Sequence, residues 1–244
     1  MQKSIFKYAL KDSVKSSLIF IGIIIVIFIF MTLVVSVNVN GEIISINGAG
    51  FAAMIFVFVA SVSTLASDMR YMNQSGFSRK TSYANFIGVF LVIALALAIV
   101  IQLIVFLFKM FAVDGVEILS DFSMLFGSDM NGELPLSIAW LFFAIVATSS
   151  LGFFIAMLYQ KMEIKVKIFV SVGVPVFFLM IVPILDYAFF NNAITNAIST
   201  AINFILGVYN GAVSPLLSIG MLALVSIVLF EITYVFLVRR LNYK

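Results

Sequence analysis

Glu231 is the clearest ionisable side chain inside an apolar stretch of this 244-residue chain. It lies in the run 216–238, toward Arg239 and Arg240. A carboxylate in hydrocarbon is costly and therefore faces protein or water. Two chemistries suit it: a proton- or ion-coupling site, or a structural anchor paired with a cation from another helix. Arg239 follows eight residues later, too far for an i,i+4 pair. One carboxylate with no intramembrane cation or second acid makes a thin relay, which favours the structural reading.

Most other chemistry is missing. The chain has no histidine and no cysteine. That removes the commonest general base, the commonest metal ligand, thiolate chemistry and disulfides. Ser–His proteolysis and His-Glu-x-x-His zinc proteolysis go with histidine. No Gly-x-x-x-x-Gly-Lys-Ser/Thr sequence occurs, so the chain carries no P-loop of its own. Intramembrane aspartyl proteolysis needs two facing aspartates, and the apolar runs offer only Asp186, near an edge. Between Lys109 and Pro135 stand Asp114, Glu117, Asp121, Asp129 and Glu133, interrupted by Phe122, Met124, Leu125 and Phe126. They lack the spacing of an EF-hand loop, so no metal site is expected. Catalysis is not expected of this chain.

The elements that must position these residues are six apolar runs, roughly 18–37, 51–67, 86–108, 136–158, 168–190 and 216–238. Each is near the ~20 residues a helix needs to cross a ~30 Å hydrocarbon core. The chain is 64% hydrophobic and 10% charged, more apolar surface than a soluble domain of this length can hide. The predicted fold is all-α: one polytopic transmembrane domain over 1–244. Of the 14 Lys and Arg residues, all but Lys109 fall on one side of the runs. They are Lys3, Lys7, Lys11 and Lys15, then Arg70, Arg79 and Lys80, then Lys161, Lys165 and Lys167, then Arg239, Arg240 and Lys244. By the positive-inside rule both termini are cytoplasmic, as an even number of spans requires. Topology accounts for these cations, so no nucleic-acid surface is expected. The first run has no clean cleavage site after it and is not read as a removed signal peptide.

Lys3, Lys7, Lys11 and Lys15 recur every four residues, opposite Ile5, Phe6, Ala9 and Leu10. This predicts a basic amphipathic helix at the membrane interface before the first span. Ser61, Ser63, Thr64 and Ser67 in the second run allow close helix approach or line a polar path, with packing favoured for any one of them. The stretch 68–84 is the longest polar segment on the basic side, and a loop that only reverses the chain needs about 2–8 residues. Gly76 can break a helix and Ser78 can cap the next. Pro135 and Pro215 mark span starts, with Ser214 as a cap for the sixth, and Pro175 and Pro183 should bend the fifth. Between the fifth and sixth runs, Asn192, Asn196, Ser199 and Asn203 share one helical face among Ile and Ala. That pattern predicts a short helix partly inserted at the outer surface.

Three features together are informative: a basic N-terminal helix, a long cytoplasmic segment after the second span, and a semi-inserted segment between the fifth and sixth. With residues 72–85, MNQSGFSRKTSYAN, and within them Gly76, Ser78, Arg79 and Lys80, the chain resembles the permease subunit of an ABC-2 type exporter. Members of this size include exporters of antimicrobial and amphipathic peptides, among them lantibiotic-immunity transporters and the phenol-soluble modulin exporters of staphylococci. The resemblance implies a bacterial plasma-membrane protein working with a separate ABC ATPase, which holds ATP and Mg. It implies a second permease copy, the same or a sister chain, and an amphipathic peptide or other hydrophobic substrate. It implies ATPase docking through Arg70, Tyr71, Met72, Gly76, Phe77, Ser78, Arg79 and Lys80. It also implies that the second and fifth spans face the path, with Ser61, Thr64, Phe177 and Phe178 as lining candidates. The rivals are an ion-coupled transporter using Glu231, the membrane subunit of a vitamin importer, and a non-transporting regulator. Inverted repeats, which would support the first, are not evident between spans 1–3 and 4–6.

Overall fold

A computed structural model describes residues 2–38, 44–74, 76, 78–111, 116–127, 130–209 and 212–236. They are nearly all helical. Helix α1 is Gln2–Asn38, strand β1 Ile44–Ile46, α2 Ala49–Gln74, α3 Arg79–Met110, β2 Val116–Ile118, α4 Asp121–Phe126 and α5 Met130–Lys161. Then come α6 Ile164–Val176, a π-helical turn Phe177–Ile181, α7 Val182–Phe189, α8 Ala193–Ile205, the short strands β3 Val208–Tyr209 and β4 Ala212–Val213, and α9 Pro215–Tyr234. Among the described residues four stretches are long and apolar enough to cross a membrane: Leu10–Val34, Lys80–Met110, Leu134–Tyr159 and Pro215–Tyr234. They mark a membrane-embedded helical protein. The second and fifth expected spans correspond to α2, and to α6, the π turn and α7 in succession.

Lipid gives helices no hydrophobic reason to associate, so close packing and hydrogen bonds must hold them. On α2, Ala49, Ala53, Val57 and Ser61 recur every four residues, and all are buried. This flat stripe lies against α5. At the tightest point a Cβ on Gly152 would sit 2.7 Å from the Ser61 Cβ and 2.9 Å from the Phe58 carbonyl oxygen. Helix α5 is central, packing on α2, α3 and α9, while α1 lies against α3. Phe90 meets Phe153 edge-on at 4.8 Å, and Phe153 meets Phe230 at 6.0 Å, joining α3, α5 and α9. Stacked Phe20 and Phe56, 4.4 Å apart, join α1 to α2.

Several boundaries differ from the sequence reading. The basic N-terminal segment is not a separate interfacial helix; it continues into the first span as one 37-residue helix. Nothing breaks it, and the Ser16 and Ser17 hydroxyls donate to the carbonyls of Asp12 and Ser13 within the same helix. The stretch 68–84 is mostly helix, because α2 runs on to Gln74 and α3 starts at Arg79. Met, Arg and Gln favour helix and no breaker precedes Gly76. Helix α5 begins at Met130, which places Pro135 inside it rather than at its start.

Candidate functional site

Two ends of the bundle carry the residues of interest. At the basic end α2 and α3 form a helical hairpin. Its turn has Gly76 at φ 80°, a left-handed conformation that glycine adopts without penalty. Ser78 caps α3, its Oγ accepting from the Thr81 N–H at 3.2 Å, as the sequence suggests. Gly76, Ser78 and Lys80 are exposed at this tip. Arg70, Tyr71 and Met72 lie on the last turns of α2 and Arg79 opens α3; their side chains, and Phe77 entirely, fall outside the described residues. The described backbone places residues 70–72 and 78–80 on either side of this turn, with Gly76 within it.

Just beyond the tip, the chain locks onto α9. Tyr83 is 3% exposed, and its hydroxyl donates to the Phe230 carbonyl at 2.8 Å. Its ring lies 6.0 Å from that of Tyr234. Glu231 stands next to Phe230 in the chain but is exposed on the last turn of α9.

The path candidates lie on two elements, α2 and the π turn. Ser61 is fully buried against Gly152, and its hydroxyl donates to the Val57 carbonyl. The half-buried Thr64 donates to the Ala60 carbonyl at 2.8 Å. Ser61 serves the packing of α2 on α5. Phe177 is exposed on the π turn; Phe178 is in the same turn, its side chain outside the described part. The main packing of α2 is with α5 and α3, and that of the π turn is with α6 and α7.

At the opposite end, the acidic segment is folded. Strands β1 and β2 pair in parallel, Ile44 with Val116 through Ile46 with Ile118. Helix α4 follows and buries Phe122 completely. Phe122 and Phe126 lie 6.2 and 6.0 Å from the ring of Trp140. The Trp140 indole N–H donates to the Ser218 hydroxyl at 3.0 Å, tying α5 to α9.

Asp121 is the residue here that sequence reasoning missed. It is 4% exposed, and its Oδ2 accepts from the Gly50 N–H at 2.6 Å. Gly48, just before α2, has no side chain with which to cap the helix. Asp121 supplies the missing acceptor from 71 positions away. Space is tight, since a Cβ on Gly50 would fall 2.5 Å from Oδ2. Oδ1 is buried without a hydrogen-bond partner. Burial pushes the carboxyl above its ordinary range, while the N–H of Gly50 and other backbone groups oppose the rise. Among the described residues no group of three or more acidic side chains is arranged to hold a metal ion.

Comparison of the chain with models of known protein families, with curated proteins and with solved structures finds no match.

Proposed function

We propose that this chain is the permease half of an ATP-driven exporter, with six spans, both termini in the cytoplasm, and a separate ATPase docked on the α2–α3 hairpin. The observation that carries this reading is the hairpin itself. The apolar run of α2 ends at Ser67, before Asp68, yet the helix continues to Gln74. At 1.5 Å per residue that is about 10 Å of helix beyond the apolar part. The extension ends in a capped turn flanked by Arg70, Arg79 and Lys80. A loop that merely reversed direction has no need of it. Tyr83, four residues into α3, ties that turn to α9 and gives its displacement a route into the bundle.

Because α2 is filled on one side by α5, a path for a hydrophobic or amphipathic substrate is best formed between two copies of the chain, with ATP and Mg on the partner. The Glu231 alternative is weaker, because one carboxylate with no intramembrane cation or second acid makes a thin relay.

The test is affinity purification of the tagged chain from its own host in mild detergent. A co-eluting P-loop ATPase at one copy per permease is expected. Reversing charge at both Arg79 and Lys80 to Glu should remove the ATPase from the eluate while the permease stays monodisperse. Elution of the wild-type chain alone, with transport intact, overturns the reading.

A further inference from the structure

The fifth span is held at its two ends by different neighbours. Its basic end is tied to α5: the Tyr159 and Ser171 hydroxyls share a hydrogen bond of 2.7 Å, and only Met162 and Glu163 separate α5 from α6. Its other end is tied to α8 through Asp186. Neighbouring residues from Ile184 to Phe204 are exposed, yet Asp186 is fully buried, because the start of α8 folds over it. Its carboxylate accepts from the Ile194 N–H at 2.9 Å and the Thr195 N–H at 2.6 Å. Its backbone carbonyl accepts from the N–H groups of Phe190 and Asn192. Asn191 and Asn192 both take positive φ, 49° and 65°, to make the corner. These four bonds close an αα-corner in which α8, otherwise without a buried residue, is fixed to α7. Helix α8 in turn packs on α9 and leads through the β3–β4 hairpin into it.

Between the two ties lies the π turn. Pro183 has no N–H to give the Leu179 carbonyl, and the ladder slips by one residue: the Val182 N–H donates to the Phe177 carbonyl, five positions back. Pro175 interrupts the ladder again just before the turn. A helix with two missing donors and a widened turn bends there more easily than elsewhere. We infer that Phe177–Ile181 is the mechanical joint of the fifth span: α7 and α8 form one rigid arm, locked by Asp186, that follows α9, while α6 follows α5. The joint belongs to the chain itself, whatever partner binds it.

The chain has no cysteine, so introduced cysteines carry labels at known places. The full chain, spin-labelled in lipid nanodiscs, is measured by pulsed dipolar spectroscopy. One pair spans the joint, Phe169→Cys with Tyr187→Cys; the other lies within the arm, Tyr187→Cys with Ala201→Cys. All three positions are exposed. The pair across the joint should show a distance distribution about twofold broader than the pair within the arm. Asp186→Ala should broaden the distribution within the arm, and Asp186→Asn, which keeps one acceptor, should broaden it less. Pro175→Ala with Pro183→Ala should narrow the distribution across the joint. Equal widths for the two wild-type pairs overturn the joint without any variant of Asp186. A narrow distribution within the arm in Asp186→Ala overturns the lock.

Discussion

Asp121 completes a helix to which it does not belong. Its Oδ2 takes the Gly50 N–H at the start of α2, where Gly48 offers nothing. Two effects compete there. The helix N-terminus favours the ionised carboxylate, and burial disfavours it more. The folded protein therefore binds this proton more firmly than the unfolded chain does. The resulting stability is complete below the ordinary value of 3.8 and is lost as pH rises through the higher folded value. The unfolding midpoint in nanodiscs should fall as pH is raised from about 4, and Asp121→Asn should flatten that part of the profile. Trp140, the single tryptophan, lies against Phe122 and Phe126 and reports the melting of this region by its fluorescence. Asp121→Ala strands the Gly50 N–H and should cost about 1–3 kcal/mol in the same measurement. Ser120 caps α4, its Oγ accepting from the Ser123 N–H at 2.9 Å. The partner of Asp121 is not legible, because nothing local distinguishes one of five acidic residues as the one that meets α2.

At the scale of elements, punctuation is what the sequence conveys best. Gly76 and Ser78 turn and cap as their chemistry requires, and Ser214 with Pro215 opens α9. Polarity alone misleads, however. The stretch 68–84 reads as a loop because it is charged, yet its residues favour helix and the two spans extend into it. The α2–α5 contact rests on the missing side chain of Gly152, and that too is invisible until the helices are paired. Gly152→Val would place branched carbons where the Ser61 Cβ and the Phe58 carbonyl now stand. The backbone carbonyl cannot move aside as a side-chain tip can, so the helices must part. The expected cost is about 1–3 kcal/mol or more, read as a lowered unfolding midpoint and a loss of monodisperse protein. Ser61→Ala, which removes only a hydroxyl bonded within its own helix, should do little.

Across the whole molecule, membrane residence is legible because hydrocarbon demands long apolar helices, and these are present. Which helix packs on which is not, since in lipid that choice depends on small residues and single hydrogen bonds rather than on bulk hydrophobicity. Glu231 illustrates the difference. From sequence it is an intramembrane carboxylate that needs protein or water around it; in the folded chain no packed helix among the described residues covers it, and it is exposed on α9 as Ile232 and Val235 are. Glu231→Gln should leave folding, ATPase co-purification and export of a fluorescent amphipathic peptide unchanged. Loss of export with an intact complex would return this carboxylate to the centre of the mechanism. The parallel pairing of β1 with β2 bears on how such a chain is made. An antiparallel hairpin can zip as soon as its second strand emerges, but a parallel pair requires a crossover. Here the crossover is the whole of α2 and α3. Strand β1 must therefore wait, its edge open, until two helices have been threaded into the bilayer during synthesis. The β2–α4 segment that Asp121 fastens to α2 is among the later parts of the nascent chain's first half to set.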